Sequence, residues 1–266
     1  MAPRPASLSS RRLRSCLIAI ACATVAVSAA SCANSPTGRA ADGAAPLLEE
    51  SASALAQVPA VDIRGFIAER SGSTTVSISV DATSAGPSGT SQGSLDLEGP
   101  GLGFTGPTSY IVVDGITYVK AGTPFWKSLF GSQTSVAVRL EGEILPLVLN
   151  RWVELSGEST EVVYKDTLGL SEPRVFVAGS LAGKGTLSNA GNQTLYGLNG
   201  VEITSSTGAK ILLAASGPPL PLAFAGTESA SGGFRLNLVV GYPTGVTISA
   251  PAHPVSLAAI EAALSK

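Results

Sequence analysis

Residues that could carry out catalysis are few in this chain, and they lie far apart. Its one histidine, His253, stands between Ala252 and Pro254, and spacing identifies no partner that would work with it as a general base. The three cysteines lie at positions 16, 22 and 32, and the acidic residues are scattered, so a zinc cluster has no ligand set. We therefore predict a protein that is not an enzyme and that needs no metal or cofactor.

The sequence Gly183-Lys184-Gly185-Thr186 contains residue types found in phosphate-binding loops. Such a loop also requires an earlier glycine at a fixed spacing and a helix that follows. Here Gly179 stands too close to the Gly-Lys pair, and a strand is predicted to follow. Phosphate binding by this loop is therefore not predicted.

Cys32 closes the stretch with the clearest functional pattern. Four arginines and no acidic residue begin the chain, an apolar run follows, and small residues end it, which is the order of a secretory signal. The residues Ala29-Ala30-Ser31-Cys32 resemble the lipobox of bacterial lipoproteins, with Ala29 where leucine is usual. The resemblance implies that the signal is cut before Cys32 and that the thiol of Cys32 carries lipid. The alternative is an ordinary signal peptide cut nearby, which would leave Cys32 unmodified.

This pattern predicts three parts: a lipoprotein signal peptide over residues 1–31, a flexible tether over 32–45 and one domain over 46–266. The apolar run is too short and too rich in alanine and serine to make a convincing membrane span. Two acyl chains, at about 0.8 kcal/mol for each buried methylene, suffice for stable anchoring. We therefore expect the mature protein to be held by its lipid anchor on the extracytoplasmic face of the cell membrane.

The charge of the mature protein excludes several classes of partner. Removal of residues 1–31 takes away four of the 17 basic residues and none of the 19 acidic ones, which leaves a formal charge of −6. Such a balance argues against nucleic acid and against a basic patch for anionic headgroups. Cys32 is the one cysteine that remains, so a disulfide within the chain is impossible. We predict a monomer without a nucleic-acid partner.

Apolar residues repeat at helical spacing in several segments. In the first of them, Leu47, Leu48 and Leu55 share one side of the helix, which Pro59 ends. The segment 135–150 is ambiguous between strand and helix, and we favour an interrupted helix. The predicted helices cover residues 46–58, 123–131, 135–150, 160–168, 172–181 and 256–264.

Elsewhere apolar and polar residues alternate, as in strands with one buried face. Asp114-Gly115, between two β-rich runs, predicts a type I′ hairpin because both turn positions need a positive φ, which Asp and Gly tolerate. The order of strands, then helices, then strands predicts an α+β fold with one antiparallel sheet and its helices grouped on one side. The predicted strands cover residues 61–65, 76–81, 95–97, 110–113, 116–119, 151–155, 195–203, 210–215, 220–224, 234–240 and 246–249, with further turns at 189–192, 199–200, 206–208, 231–233 and 242–245.

Large apolar side chains are concentrated in the middle of a chain that is only 5% aromatic. An antiparallel sheet must cover its apolar face, and if helices do not fill its concavity, a slot for lipid chains remains. The alternative is that the same side chains simply fill the core. The candidate ligand-lining residues are Phe125, Trp126, Leu129, Phe130, Leu147, Leu149 and Phe176.

Several segments together form a recognisable pattern. They are the lipobox, the tether and the opening helix, followed by residues 110–118, 123–131, Arg151-Trp152-Val153, 215–222 and Ser249-Ala250-Pro251-Ala252. This pattern resembles the actinobacterial and mycobacterial lipoproteins of the LppX/LprG type, which are related in shape to the LolA/LolB lipoprotein carriers. The resemblance implies an antiparallel sheet curved into a half-barrel, with helices on its concave side and a cavity that holds acyl chains of envelope lipids. No relative's binding residues can be carried over.

Two functions from different classes follow from these observations. The first is a membrane-anchored envelope lipoprotein that binds or transfers acylated lipids through an apolar cavity, without covalent catalysis. The second is a non-catalytic adaptor with a filled core that acts through protein contacts, for example with an envelope transporter. A lipid that copurifies with the protein would favour the first, and a stable protein partner would favour the second.

Overall fold

The structure is a computed structural model that describes residues 38–71, 73–86, 89–100, 105–130, 140–155, 170–181, 185–228 and 232–264. Cys32, the signal segment and the predicted helix over 160–168 lie outside these ranges. Within them, no helix is both long enough and apolar enough to cross a membrane.

Eleven antiparallel strands form one open sheet in the order β6-β5-β4-β3-β2-β1-β11-β10-β9-β8-β7. Neighbours in the sheet are also neighbours in sequence except at one place, where β1 pairs with β11. The strands are β1 (Ala60–Ser71), β2 (Thr74–Ala85), β3 (Thr90–Glu98), β4 (Gly106–Val113), β5 (Ile116–Ala121), β6 (Val153–Leu155), β7 (Leu187–Leu195), β8 (Leu198–Ser205), β9 (Lys210–Leu213), β10 (Pro221–Glu228) and β11 (Gly232–Gly241).

One face of this sheet, called the inner face below, carries the core. Residues directly opposite each other in an antiparallel pair share a face, and buried apolar residues meet in this way from β1 to β11. The inner face consists of Ile63, Ile67, Ile78, Val80, Leu95, Leu97, Tyr110, Val119, Ile203, Ile211, Phe224, Leu238 and Val240. The opposite face of β1 and β2 is polar, and there exposed Arg64 lies 3.3 Å from Asp81.

Short helices cover the inner face. Helix α1 packs against α4, α4 crosses β1 and β2, α2 lies against β4 and α3, and α5 contacts β6. They are α1 (Ala44–Leu55), α2 (Thr123–Phe130), α3 (Leu145–Val148, preceded by a π-helical turn at Leu140–Ile144), α4 (Pro173–Leu181) and α5 (Leu257–Leu264). This arrangement confirms the predicted α+β fold, an antiparallel half-barrel with its helices on the concave side.

Glycine at position 65 allows β1 and β11 to approach closely. Gly65 lies in the middle of β1 with φ 143°, and a Cβ there would stand 1.9 Å from the backbone oxygen of Asn237 on β11. Any side chain would therefore push the two strands apart at the place where the first and last strands pair.

Two hairpins have two-residue turns in which both φ angles are positive. Asp114 and Gly115 have φ 53° and 75°, which confirms the predicted type I′ turn between β4 and β5. Tyr196 and Gly197 have φ 52° and 79° and join β7 to β8, although tyrosine gave no turn signal. The predicted turn at residues 199–200 was wrong, because both residues pair within the hairpin.

The predicted turn at residues 189–192 lies inside β7. The register of β7 shifts between Asn189 and Asn192, and Gly191 has φ 76° while its N–H donates to Asn189 Oδ1 at 2.8 Å. This is a β-bulge, which has the glycine and asparagine of a turn but does not end the strand. Turn chemistry alone could not separate the two structures.

The predicted strand over residues 246–249 is also wrong. The segment 242–252 follows β11, whose two sides are already paired with β1 and β10. No free edge is left beside it. The chain instead continues to Val255, which forms an isolated parallel bridge with Val153 on β6.

Residues 38–43, which belong to the predicted tether, lie against the sheet. The side-chain amide of Asn189 donates to the carbonyl oxygens of Arg39 and Asp42 at 3.2 and 2.8 Å. Arg39 in turn lies 3.1 Å from Glu50 on α1, and Ala40 is buried.

Candidate functional site

The predicted ligand-lining residues Phe125 and Trp126 are central to the packing of α2. Their side chains are 1% and 0% exposed, and their rings meet edge to face with centroids 4.7 Å apart. Trp126 Nε1 donates to the backbone oxygen of Ala121 at 3.1 Å. The indole therefore fixes α2 to the end of β5 and has its polar group satisfied.

Three other predicted residues lie toward the surface of the α2–α3 pair. Leu129 and Leu147 are half-buried and pack against the core, whereas Leu149, just after α3, is 39% exposed. Leu145 shares the half-buried position of the first two. Together these four leucines form an apolar border, called the leucine border below, between the core and solvent.

The last two predicted residues are separate from this border. Phe176 is buried on α4, in the same continuous core, and the side chain of Phe130 lies outside the described part of the structure. The structure therefore brings Phe125, Trp126, Leu129 and Leu147 together around α2 and α3. Leu149 faces solvent beside them, and Phe176 is on another helix.

The inner face also carries two serines, which lie near the ends of strands β2 and β3. Ser84 on β2 and Ser91 on β3 are direct partners in the antiparallel pair, and both are buried. Ser84 Oγ donates to Val61 O at 3.4 Å and accepts from the backbone N–H of Arg174 at 3.2 Å. Ser91 Oγ has no partner among the described residues.

Arg174, in the first turn of α4, joins that helix to α1. Its guanidinium donates to the carbonyl oxygen of Leu55, the last residue of α1, at 2.8 Å, and to that of Val58, three residues after the helix. A cation at this end is favourable because the last carbonyl groups carry the negative end of the helix dipole. Burial lowers the pKa of Arg174 below its usual value.

Tyr110 spans the space between β4 and the segment that leads into α4. Its hydroxyl donates to the backbone oxygen of Leu170 at 3.5 Å. Burial, followed by the negative charges of Glu172 and Asp81, raises the pKa of Tyr110 well above its usual range. The phenol is therefore a neutral hydrogen-bond donor at physiological pH.

The residues whose types could support catalysis lie apart in the structure. His253 is exposed on a loop with φ 53°, and in the described ranges no group of three or more His, Cys, Asp or Glu side chains could hold a metal ion. Of the glycine-rich segment, Gly185 and Thr186 lead into β7, while Gly183 and Lys184 lie outside the described residues. None of these residues contributes to the inner face.

Sequence reasoning missed Ser84, Ser91 and Arg174, although two of them had a detectable signal. Buried residues occupy every second position of β2 from 76 to 82, and Ser84 is the next position in that series. Ser91 has the same parity as the buried positions 95 and 97 of β3. A strand-parity argument would therefore have placed both hydroxyls on the inner face. Arg174 had no comparable signal, because its partners are backbone carbonyls more than 100 residues away.

Ser91 is also the centre of Gly89-Thr90-Ser91-Gln92-Gly93, which has the Gly-x-Ser-x-Gly spacing of a hydrolase nucleophile. A nucleophile elbow requires a sharp turn from a strand into a helix. Here Ser91 is the second residue of β3 and is 0% exposed, with no histidine bonded to it in the described part of the chain. The position of Ser91 does not fit a nucleophile elbow.

No family profile matches this chain, and no curated protein matches it. Among solved structures, it is similar to LprF from Mycobacterium bovis, at 13% identity over 79% of this chain and 97% of that one, with a TM-score of 0.49. It is also similar to the lipoprotein LppX from Mycobacterium tuberculosis, at 13% identity over 77% and 98% of the two chains, with a TM-score of 0.42. Likenesses at this level assign no ligand or activity to this chain.

Proposed function

We propose that this protein is a membrane-anchored envelope lipoprotein that binds acylated lipids between its sheet and its helices. The observation that carries the proposal is the apolar inner face, which continues from β5 to β8 and is covered by separate short helices and not by a second sheet. Helices of this kind can separate from a sheet without breaking any strand pairing. An apolar surface that continues across these strands is suited to hydrocarbon chains, which supports an acylated lipid as the ligand.

The energetics of such binding are adequate. Each methylene that leaves water contributes about 0.8 kcal/mol, so ten buried methylenes contribute roughly 8 kcal/mol before the losses of association. A ligand with two or more acyl chains would exceed those losses without any polar contact. Strong binding is therefore expected to depend on chain length.

The leucine border is the place where an acyl chain would pass. Leu129 is half-buried on α2 beside the buried Phe125 and Trp126, and the other three leucines lie on α3 or directly after it. Helix α3 contacts α2. Movement of α3 away from α2 would open an apolar path from solvent toward the inner face.

Lipid at Cys32 would hold the domain close to the membrane. Residues 38–43 lie against β7, so six residues separate them from the lipid attached at Cys32. A chain of six residues reaches at most roughly 20 Å, at about 3.3–3.6 Å for each extended residue. The edge of the sheet at β7 would therefore stay near the headgroups.

Native mass spectrometry with lipid extraction tests this function directly. The mature chain, expressed in a lipid-rich actinobacterial host with Cys32→Ser so that no anchor is attached, should carry a defined acylated lipid. Leu147→Asp should reduce the occupied fraction, because a carboxylate in the leucine border disfavours hydrocarbon. Ser109→Asp, on the face of β4 opposite the core, is the matched control. A protein that is empty in every preparation and binds no added lipid would refute the proposal.

A second function is favoured by the deep burial of Phe125 and Trp126. If these rings fill the concavity completely, the half-barrel is a scaffold that acts through protein contacts in the envelope, for example with a transporter. Crosslinking in intact cells distinguishes the two. A single partner, captured equally by the protein and by a Leu147→Asp variant, would support the adaptor function.

A further inference from the structure

Three buried polar atoms on the inner side of the sheet have no hydrogen-bond partner among the described residues. They are Ser51 Oγ on α1, Ser91 Oγ on β3 and Arg174 Nε on α4. The one other such atom, Asp62 Oδ1, belongs to the opposite face of the sheet, where Asp62 lies 3.6 Å from Arg64. A buried hydroxyl or guanidinium group that stays unpaired is destabilising, so three on one side of the sheet require an explanation.

These three atoms belong to one region of the molecule. The backbone of Arg174 is bonded to Ser84, and Ser84 is the direct strand partner of Ser91. The guanidinium of Arg174 is bonded to the carbonyl of Leu55, and Ser51 lies one helical turn before Leu55 on the buried side of α1. The last turns of α1, the first turn of α4 and the ends of β2 and β3 therefore meet here.

The groups in this region are suited to an oxygen that accepts hydrogen bonds. Arg174 is positively charged, and no carboxylate in the described ranges forms an ion pair with it. Its Nε–H and the hydroxyl of Ser91 can both donate. The nine-residue helix α4 also begins here, and its first turn carries the positive end of the helix dipole. The negative charge of the neighbouring Glu172 raises the pKa of the Tyr110 phenol.

We propose that Ser91 and Arg174 form a polar subsite for the anionic oxygen atoms of an acylated ligand, which are a fatty-acid carboxylate or a lipid phosphate. This proposal rests on the proposed function and adds an orientation to it. After Ser91, the inner-facing residues of β3 are Gly93, Leu95 and Leu97. The anionic group would lie at Ser91, and the acyl chain would extend along the apolar inner face from there.

The test compares an acid with its ester. The mature chain with Cys32→Ser is titrated at pH 8 with cis-parinaric acid, with its methyl ester, and with lysophosphatidic acid as a displacing ligand. Ser91→Ala should weaken binding of the acid about tenfold, because a hydrogen bond to a charged group is lost. Binding of the ester should change less than twofold. Ser94→Ala, exposed on the same strand, should change neither.

A second variant tests the subsite independently, in case Ser91→Ala does not fold. Arg174→Lys keeps a cation at the end of α1 but removes the Nε–H, and it should also weaken the acid more than the ester. If lysophosphatidic acid displaces the probe and a neutral monoacylglycerol does not, the natural anionic group is a phosphate. If a free fatty acid displaces the probe more strongly than lysophosphatidic acid does, the natural group is a carboxylate. Equal weakening of acid and ester, or unchanged binding of both in the two variants, overturns the subsite. Failure of the unsubstituted chain to bind any probe overturns the proposed function as well.

Discussion

Ser84 and Ser91 provide a matched pair for testing the packing argument. They face each other across β2 and β3 and are both buried, but Ser84 has two hydrogen bonds and Ser91 has none in the described structure. The same change, serine to alanine, should therefore have opposite effects on the free energy of unfolding. Lipid must be removed first, because a ligand bound at Ser91 would satisfy its hydroxyl.

The magnitudes follow from what each substitution removes. Ser84→Ala loses two hydrogen bonds and leaves the N–H of Arg174 unpaired, which should lower the free energy of unfolding by about 2 kcal/mol. Ser91→Ala relieves the unfavourable burial of a hydroxyl, worth about 1–3 kcal/mol. The void that it leaves is about 10 Å³ and costs roughly 0.2 kcal/mol. Ser91→Ala should therefore raise the free energy of unfolding by about 1 kcal/mol.

Urea denaturation of the lipid-free protein, followed by the fluorescence of Trp126 and Trp152, measures both changes. Thermal unfolding should shift by about 2–4 °C for each kcal/mol in a domain of this size. If Ser91→Ala lowers the stability as much as Ser84→Ala does, the hydroxyl of Ser91 has a partner in the native protein. The explanation based on an unpaired group would then be refuted.

Three further predictions concern other parts of the fold. Trp126→Ala should lower the free energy of unfolding by about 3–5 kcal/mol, because it removes a fully buried side chain; a loss under 1 kcal/mol in urea denaturation would mean that the pocket collapses freely. The folded protein raises the pKa of Tyr110, so the contribution of the neutral phenol to stability is complete below about pH 10 and is lost as the pH rises further. Tyr110→Phe should therefore lose less stability at alkaline pH, as measured by urea midpoints over a pH series. An equal loss in the variant and the unsubstituted protein would contradict this. Gly115→Ala, at φ 75°, should lower the free energy of unfolding by about 1 kcal/mol, whereas Gly179→Ala, within α4 with open space around it, should not.

The sequence predicted the parts of the fold that depend on local chemistry. Asp114-Gly115 identified its hairpin because only a few residue types accept two positive φ angles in succession. Tyr196-Gly197 forms the same turn without that signal, since the long pairing of β7 with β8 tolerates a tyrosine in an unfavourable conformation. Local patterns also placed α1, α2, α4 and α5 within a few residues of their observed bounds.

Contacts between distant segments could not be predicted in this way. The segment 246–249 has the alternation of a strand, but whether it pairs depends on which strand edges are free, and β1 had already taken the edge of β11. Strand parity could have placed the hydroxyls of Ser84 and Ser91 on the inner face. Their different hydrogen bonding could not be predicted, because it depends on Arg174, which lies 90 residues after Ser84 in the chain. Leu149, one of the predicted lining residues, is a second example. Its spacing from the other apolar residues predicts a position in the core, but α3 ends before Leu149 and leaves the side chain exposed.

The pairing of β1 with β11 has a consequence for how the chain reaches its native state. Asp62 and Gly241 are direct partners, so the two halves of the sheet join only when nearly the whole sequence is present. Pairings between residues so far apart slow folding, because a large loop must close before any contact stabilises it. A chain that emerges N-terminus first would leave the edge of β1 unpaired until β11 arrives. The rate at which the complete sheet forms would then be set by the final third of the chain.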